Sequence, residues 1–290
     1  MTPRQTPEGG EAATRSVPSR RVAGFLPPNT LRSPSFVIGL AILVFWIAMA
    51  LVGGRLAPYG PTEVQLLSKL SPPSGAHWLG ADNLGRDVLS RVLAGSQSVL
   101  FVSSCAAILG VFSGTVIGLV AAYFGGWTEE VAMRLMDVLM AFPLIVVALL
   151  IIAVLGPSQF NVILVVAFAF APYNARVVRA AALGLRRREY VAAARLRGES
   201  ALYIMAVEML PNMSGTIVVE FTVRLALAIF TVATLSFLGL GIQPPTPDWG
   251  LMIAEGRQYY RIAPWIVLFP ALAIASLVIA VNLVAEGLKG

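Results

Sequence analysis

The sequence predicts an all-α integral membrane protein with six transmembrane helices. Three observations carry that expectation. The 290 residues are 57% hydrophobic and only 12% charged, with a mean hydropathy of +0.79. A soluble domain carries about 25% charged residues, and charge is costly in hydrocarbon. The apolar residues gather in charge-free runs at 36–54, 92–128, 138–175, 225–246 and 262–285. Finally, arginine is concentrated in two of the segments that join or precede these runs.

Each element follows from a bilayer core of about 30 Å, which a helix crosses with roughly 20 apolar residues. Residues 1–35 are rich in Pro, Ser, Thr, Gly and Arg without hydrophobic period, and read as a disordered cytoplasmic tail. Residues 36–290 then form the transmembrane domain, with its first span at 36–54. A signal peptide cleaved near Ala48-Met49-Ala50 is the competing reading, but 36–54 is longer than a typical signal core and favours an uncleaved anchor. The run 92–128 opens with Gly95, Ser96, Gln97 and Ser98, so the second span is set at 99–124. Gly156-Pro157-Ser158 is a turn signal that divides 138–175 into spans three and four. The runs 225–246 and 262–285 supply spans five and six.

Charge sets the orientation. The tail holds Arg4, Arg15, Arg20, Arg21 and Arg32, and the segment after span four holds Arg176, Arg179, Arg186, Arg187, Arg188, Arg195 and Arg197. With six spans these lie on one face, and the positive-inside rule makes that face cytoplasmic, both termini included. Loops 57–96 and 240–262 are then extracytoplasmic, and 176–212 is cytoplasmic. The net charge of +6 is therefore a topology signal and gives no ground for a nucleic-acid partner; the partner that the hydropathy itself demands is membrane lipid.

Composition also excludes chemistry. Cys105 is the only cysteine and His77 the only histidine, so an intrachain disulfide and a multi-histidine metal site are ruled out. No Ser-His-Asp or Cys-His pair stands out, and no Gly-x-x-x-x-Gly-Lys-Ser/Thr phosphate loop occurs. No catalytic residue is expected, and any energy from nucleotide hydrolysis must come from another chain.

The most informative stretch is 188–212, REYVAAARLRGESALYIMAVEMLPN. Residues 186–197 favour helix. Gly198, followed by Glu199 and Ser200, allows a tight turn, and 201–209 can form a second short helix. Pro211, after Leu210, suits the opening turn of span five, where no amide donor is needed. Two helices meeting at a glycine make a rigid knob, with Leu202, Tyr203, Ile204 and Met205 as its exposed apolar tip. A solvated positive-inside loop is the plainer alternative, but it needs no such tip.

This segment resembles the cytoplasmic EAA loop of ABC importer permeases, matching at Ala193, Ala194, Gly198, Leu210 and Pro211. Ala192 stands where the motif has Glu, and Glu189 fits the Arg-Glu-Tyr that usually precedes it. Three further blocks narrow the resemblance: HWLGADNLGRDVLSR at 77–91, MRLMDVLMAFP at 133–143, and LSFLGLGIQPPTPDWG at 235–250. Together they are similar to the C-type permease of dipeptide and oligopeptide importers, a branch shared with nickel and glutathione importers. The resemblance implies the type I ABC importer permease fold and a place in the bacterial cytoplasmic membrane. It implies a second, related permease as partner, two cytoplasmic ATPase domains that grip the loop and bind ATP and Mg, and an extracytoplasmic solute-binding protein. This chain would hold no cofactor of its own.

Other residues carry weaker signals. In 77–91, His77, Trp78, Asp82, Arg86, Asp87 and Arg91 either meet the binding protein or pack as a cap, with Asp87 and Arg91 spaced as an i,i+4 pair. Ala106, Gly110, Gly114, Gly118 and Ala122 form a small-residue ridge on span two, of the kind that lets helix backbones approach closely. It serves packing within this chain or contact with a second permease, and the former is the simpler reading. Glu220 and Arg224 lie one turn apart in the first half of span five, where each charge costs about 2.5–3.5 kcal/mol at the bilayer centre. They either line the translocation path or pair locally. Asp137 reads as interfacial and Cys105 as a small apolar filler. An ion-driven secondary transporter would show internal repeats between its halves, and none is evident. A scaffold protein would not need a glycine-hinged knob.

Overall fold

A computed structural model describes residues 33–289; residues 1–32, most of the expected tail, lie outside it. Ten helices occur among the described residues: α1 (Pro34–Leu56), α2 (Val88–Phe124), α3 (Gly126–Met140), α4 (Leu144–Leu155), α5 (Gln159–Arg186), α6 (Glu189–Leu196), α7 (Ala201–Tyr203), α8 (Ser214–Phe237), α9 (Trp249–Gly256) and α10 (Trp265–Lys289). A π-turn at Ile204–Met209 and a 3-10 turn at Pro211–Met213 join α7 to α8. Ala201–Phe237 is therefore one continuous helical run of 37 residues. Side chains start several helices: Asp87, Ser158, Ser200 and Asp248 each accept a hydrogen bond from a backbone N–H of the first turn.

Five helical stretches are long and apolar enough to cross a membrane, six if α3 and α4 count as one. Several expected boundaries move. The tail ends earlier, because α1 begins at Pro34. The second span is the lower part of α2, whose 37 residues extend about 56 Å, so 88–96 is helix and not loop. Residues 176–186 continue α5 instead of opening the coupling segment. Span five stops at Phe237, not 246, and α9 lies within 240–262.

The largest difference is span three. α3 and α4 meet at 85° across a short break. Pro143 lacks an N–H and disfavours helix at the residue before it. Hydropathy passes smoothly through Ala141-Phe142-Pro143 because all three are uncharged. The 12 residues of α4 reach only about 18 Å, well short of the hydrocarbon core.

The centre of the molecule is the α2–α5 pair. The small-residue ridge of α2 faces α5: a methyl group on Gly114 would fall 2.5 Å from the Ala171 carbonyl oxygen, and one on Gly118 would overlap that of Ala175. Ala106 and Ala122 are fully buried, so the ridge serves packing within this chain. Asn174 of α5 donates to the Val111 carbonyl oxygen of α2 (2.7 Å) and to Thr115 Oγ1 (3.1 Å). A second centre joins α1, α2, α9 and α10. Trp46 and Trp249 meet edge to face at 4.7 Å, and Trp249 Nε1 donates to the Val92 carbonyl oxygen (2.8 Å). Gly39 and Phe36 of α1 lie against Leu283 and Gly287 of α10, so the start of α1 and the end of α10 share one end of the bundle.

Candidate functional site

The arginine-rich segment forms the expected bracket. Gly198 follows the C-cap of α6, Arg197, and its φ of +80° is open to glycine and costly for side chains with a Cβ. Its N–H donates to the Arg195 carbonyl (3.0 Å) and that of Glu199 to the Ala194 carbonyl (3.2 Å), a Schellman closure of the helix. Ser200 Oγ then accepts from Tyr203 N–H (3.2 Å) and starts the second arm. Arg197 bridges the arms, lying 3.6 Å from Glu199 and 3.3 Å from Glu208. Glu189 sits in the first turn of α6, where the helix dipole favours an acid.

The root of the bracket is apolar. Val191, Ala194, Ile204, Met205, Met209 and Met213 are buried against Leu119 and Ala122 of α2 and Val178 and Ala182 of α5. This corrects the expected tip: Ile204 and Met205 face inward. Leu202 is 73% and Tyr203 39% exposed, and they are joined by Leu196, 90% exposed. Leu196 was not singled out from sequence. It falls out of phase with the buried pair Val191 and Ala194, and that phase mismatch was the available signal. Ala192 and Ala193 are exposed, so the position that departs from the EAA motif lies on the open face of the bracket. Leu210 is half-buried, and exposed Pro211 opens the turn into α8.

At the opposite end, His77, Asp82, Arg86, Asp87 and Arg91 are brought together and buried. Asp82 accepts from Arg86 Nε (2.6 Å) and from the Leu84 and Arg86 backbone N–H groups. His77 Nδ1 lies 2.9 Å from Asp87 Oδ1, and Ser90 donates to Asp87 Oδ2 from both N and Oγ. Asp87 and Arg91 do not form the i,i+4 pair, because Asp87 caps α2 while Arg91 turns toward Asp82 (3.7 Å) and Glu255 (3.4 Å). Glu255 of α9, which the sequence did not single out, also takes Arg86 (2.8 Å) and locks the two loops at this end. Trp78 stands apart, 69% exposed. Nearby, Asp248 is fully buried at the start of α9. Burial pushes its carboxyl above the usual carboxylate range, against the opposing pull of hydrogen bonds led by Leu251 N–H.

Glu220 and Arg224 of α8 do pair, at 3.0 Å. Arg224 also lies over the rings of Phe170 (6.0 Å) and Tyr173 (5.4 Å) of α5. Asp137 and Glu129 of α3 pair with Arg176 and Arg179 of α5. Cys105 is half-buried beside the core. No group of metal-ligating side chains occurs among the described residues.

A polytopic helical chain that carries a rigid, apolar-tipped bracket on one face has the architecture of a membrane transport subunit. Residues 114–289 match the family described as binding-protein-dependent transport system inner membrane component. Residues 30–73 match the N-terminal transmembrane domain of oligopeptide transport permease C. The chain is 41% identical over 252 residues to a glutathione transport system permease protein of Pectobacterium atrosepticum, covering 87% of this chain and 83% of that protein. It is 35% identical over 290 residues to a dipeptide transport system permease protein of Alkalihalophilus pseudofirmus, covering 100% of this chain and 94% of that one. In fold it is similar to a chain of the MetNI methionine ABC transporter in an inward-facing conformation, with a TM-score of 0.52 at 15% identity, covering 68% of this chain and 96% of that one. The chain belongs to the binding-protein-dependent inner membrane component family, the multi-pass permease subunits of ABC importers.

Proposed function

We propose that this permease imports short peptides and that the bracket Glu189–Pro211 is its drive point. The observation that carries the reading is the division of the bracket into a buried root and an exposed tip of Leu196, Leu202 and Tyr203. Isolated exposed apolar residues are ordinary. Three of them on a stapled, glycine-closed turn make a plug that fits a groove in a partner. In this reading the groove belongs to a cytoplasmic ATPase domain, and ATP and Mg are bound there. Two such domains grip two brackets, one from this chain and one from a second, related permease. A solute-binding protein delivers cargo at the opposite end, where Trp78 is the exposed contact. In this reading both termini are cytoplasmic, an orientation that the arginine distribution supports.

The cargo assignment rests on the relatives, whose names specify dipeptide, peptide and glutathione transport. Glutathione is itself a short peptide, so one cargo class covers all three. The test is uptake by proteoliposomes that hold the complete transporter. Accumulation of dipeptide or glutathione that needs both ATP and the binding protein supports the reading. Uptake by this chain alone under a proton gradient overturns it.

A further inference from the structure

Two features would be costly against lipid. The first is the elbow between α3 and α4. Ala141, Phe142 and Pro143 are non-helical and exposed on this chain. Irregular backbone at membrane depth persists only when covered by protein or lining a water-filled path. The second is the Glu220–Arg224 pair, part-exposed at 15% and 13%, with Arg224 Nε buried and without a hydrogen-bond partner among the described residues.

These features share a level and a neighbour. Leu144, the residue that follows the elbow, lies 11 residues from Leu155, the far end of α4; Tyr173 lies 14 from Gln159, the near end of α5; Arg224 lies 13 from Phe237, the far end of α8. At 1.5 Å per residue each is about 17–21 Å below the same end of the bundle, inside a core about 30 Å thick. Tyr173 joins them: it shares a small cleft with Leu139, Phe142 and Phe168, and its ring carries the Arg224 guanidinium.

We propose that Phe142, Tyr173, Arg224 and Glu220 line one station of the aqueous translocation path, where the ion pair receives the charged ends of a zwitterionic cargo. The acid and the base sit one turn apart on α8, so each can exchange its partner for an ammonium or a carboxylate group without being left alone in hydrocarbon. The rings of Phe170 and Tyr173 give Arg224 an alternative resting place. This station rests on the import reading above for its cargo, but not for its contact with water.

The test uses the complete transporter in proteoliposomes. With Cys105→Ala as background, Phe142→Cys and Tyr173→Cys are treated with a charged, membrane-impermeant methanethiosulfonate in the nucleotide-free and the ATP-trapped states. Labelling at both positions in at least one state, slowed by dialanine, supports the station. Protection of either position in both states overturns it. Glu220→Gln and Arg224→Gln, each checked for intact assembly, should lose most dialanine uptake while keeping ATP hydrolysis stimulated by the binding protein. Uptake at the unmodified level in both overturns the role of the pair. If the unmodified transporter shows no ATP-driven uptake, the import reading fails, while labelling still reports whether water reaches the station.

Discussion

Replacing Gly198 with valine tests the bracket most directly. Gly198 holds φ of +80°, and a Cβ built there meets nothing within 4 Å. The penalty is therefore purely conformational and not steric. A residue held in a sparsely populated backbone region costs about 1–3 kcal/mol, and a β-branched side chain belongs at the upper end. That energy corresponds to an equilibrium shift of about 5–150-fold away from the closed turn that aims Leu196 and Leu202. The buried root, Val191 through Met213, should hold the segment on α2 and α5, so the variant assembles but drives poorly. The assay is ATP-dependent uptake beside ATP hydrolysis in proteoliposomes, with co-purification of the proposed second permease as the control for assembly. The expected order of uptake is Gly198, then Asn, Ala and Val, because Asn tolerates the left-handed region. Equal uptake by Gly198→Val, or an Asn variant as impaired as the Val variant, refutes the reasoning.

Four other outcomes follow from the structure. Leu196→Ser with Leu202→Ser should weaken ATPase co-purification without changing thermal stability, since both side chains are exposed. Arg86→Met leaves Asp82 without its closest cation; breaking one side of a buried pair costs about 3–5 kcal/mol, measurable as a lower melting temperature in detergent. Gly118→Val drives a side chain into the Ala175 carbonyl, and overpacking of this kind costs about 1–3 kcal/mol, so yield of folded protein should fall. For Asp248 the folded carboxyl holds its proton more tightly than the unfolded one. Stability should then decline as pH rises from the ordinary carboxylate range through the raised folded value; Asp248→Asn should flatten that slope in melting curves taken against pH.

The sequence displayed what depends on local chemistry. The small-residue ridge announced a close helix contact, and α5 meets it. Gly198, Ser200 and Pro211 each took the backbone role their covalent structure suits. What stayed hidden depends on tertiary phase or on bonds between distant segments. Ile204 and Met205 look like any exposed apolar pair until the end of α2 covers them, whereas Leu196 is left outside. Glu255 joins Arg86 and Arg91 from 164–169 residues away, beyond any spacing rule. The elbow at Pro143 escaped because a hydropathy run records the solvent of a segment and not its direction.

The long helix α2 connects these pieces into one mechanical argument. Its first turns, at Asp87, Ser90 and Arg91, are bonded into the polar cap, and its last, at Leu119 and Ala122, hold the root of the bracket. Between them the glycine ridge seats α2 against the backbone of α5, with Asn174 stitching the two. Packed interiors are stiff and pass displacement on without absorbing it, so a push on the bracket should move α2 and α5 as a single body about 56 Å long. The elbow between α3 and α4 is the interruption beside that body, where the run of helical bonds breaks between Ala141 and Leu144, and any relative motion should concentrate there. Restoring a continuous helix with Pro143→Ala should therefore impair uptake far more than ATPase binding. An equal loss of both, measured by co-purification and transport, would place the compliance elsewhere.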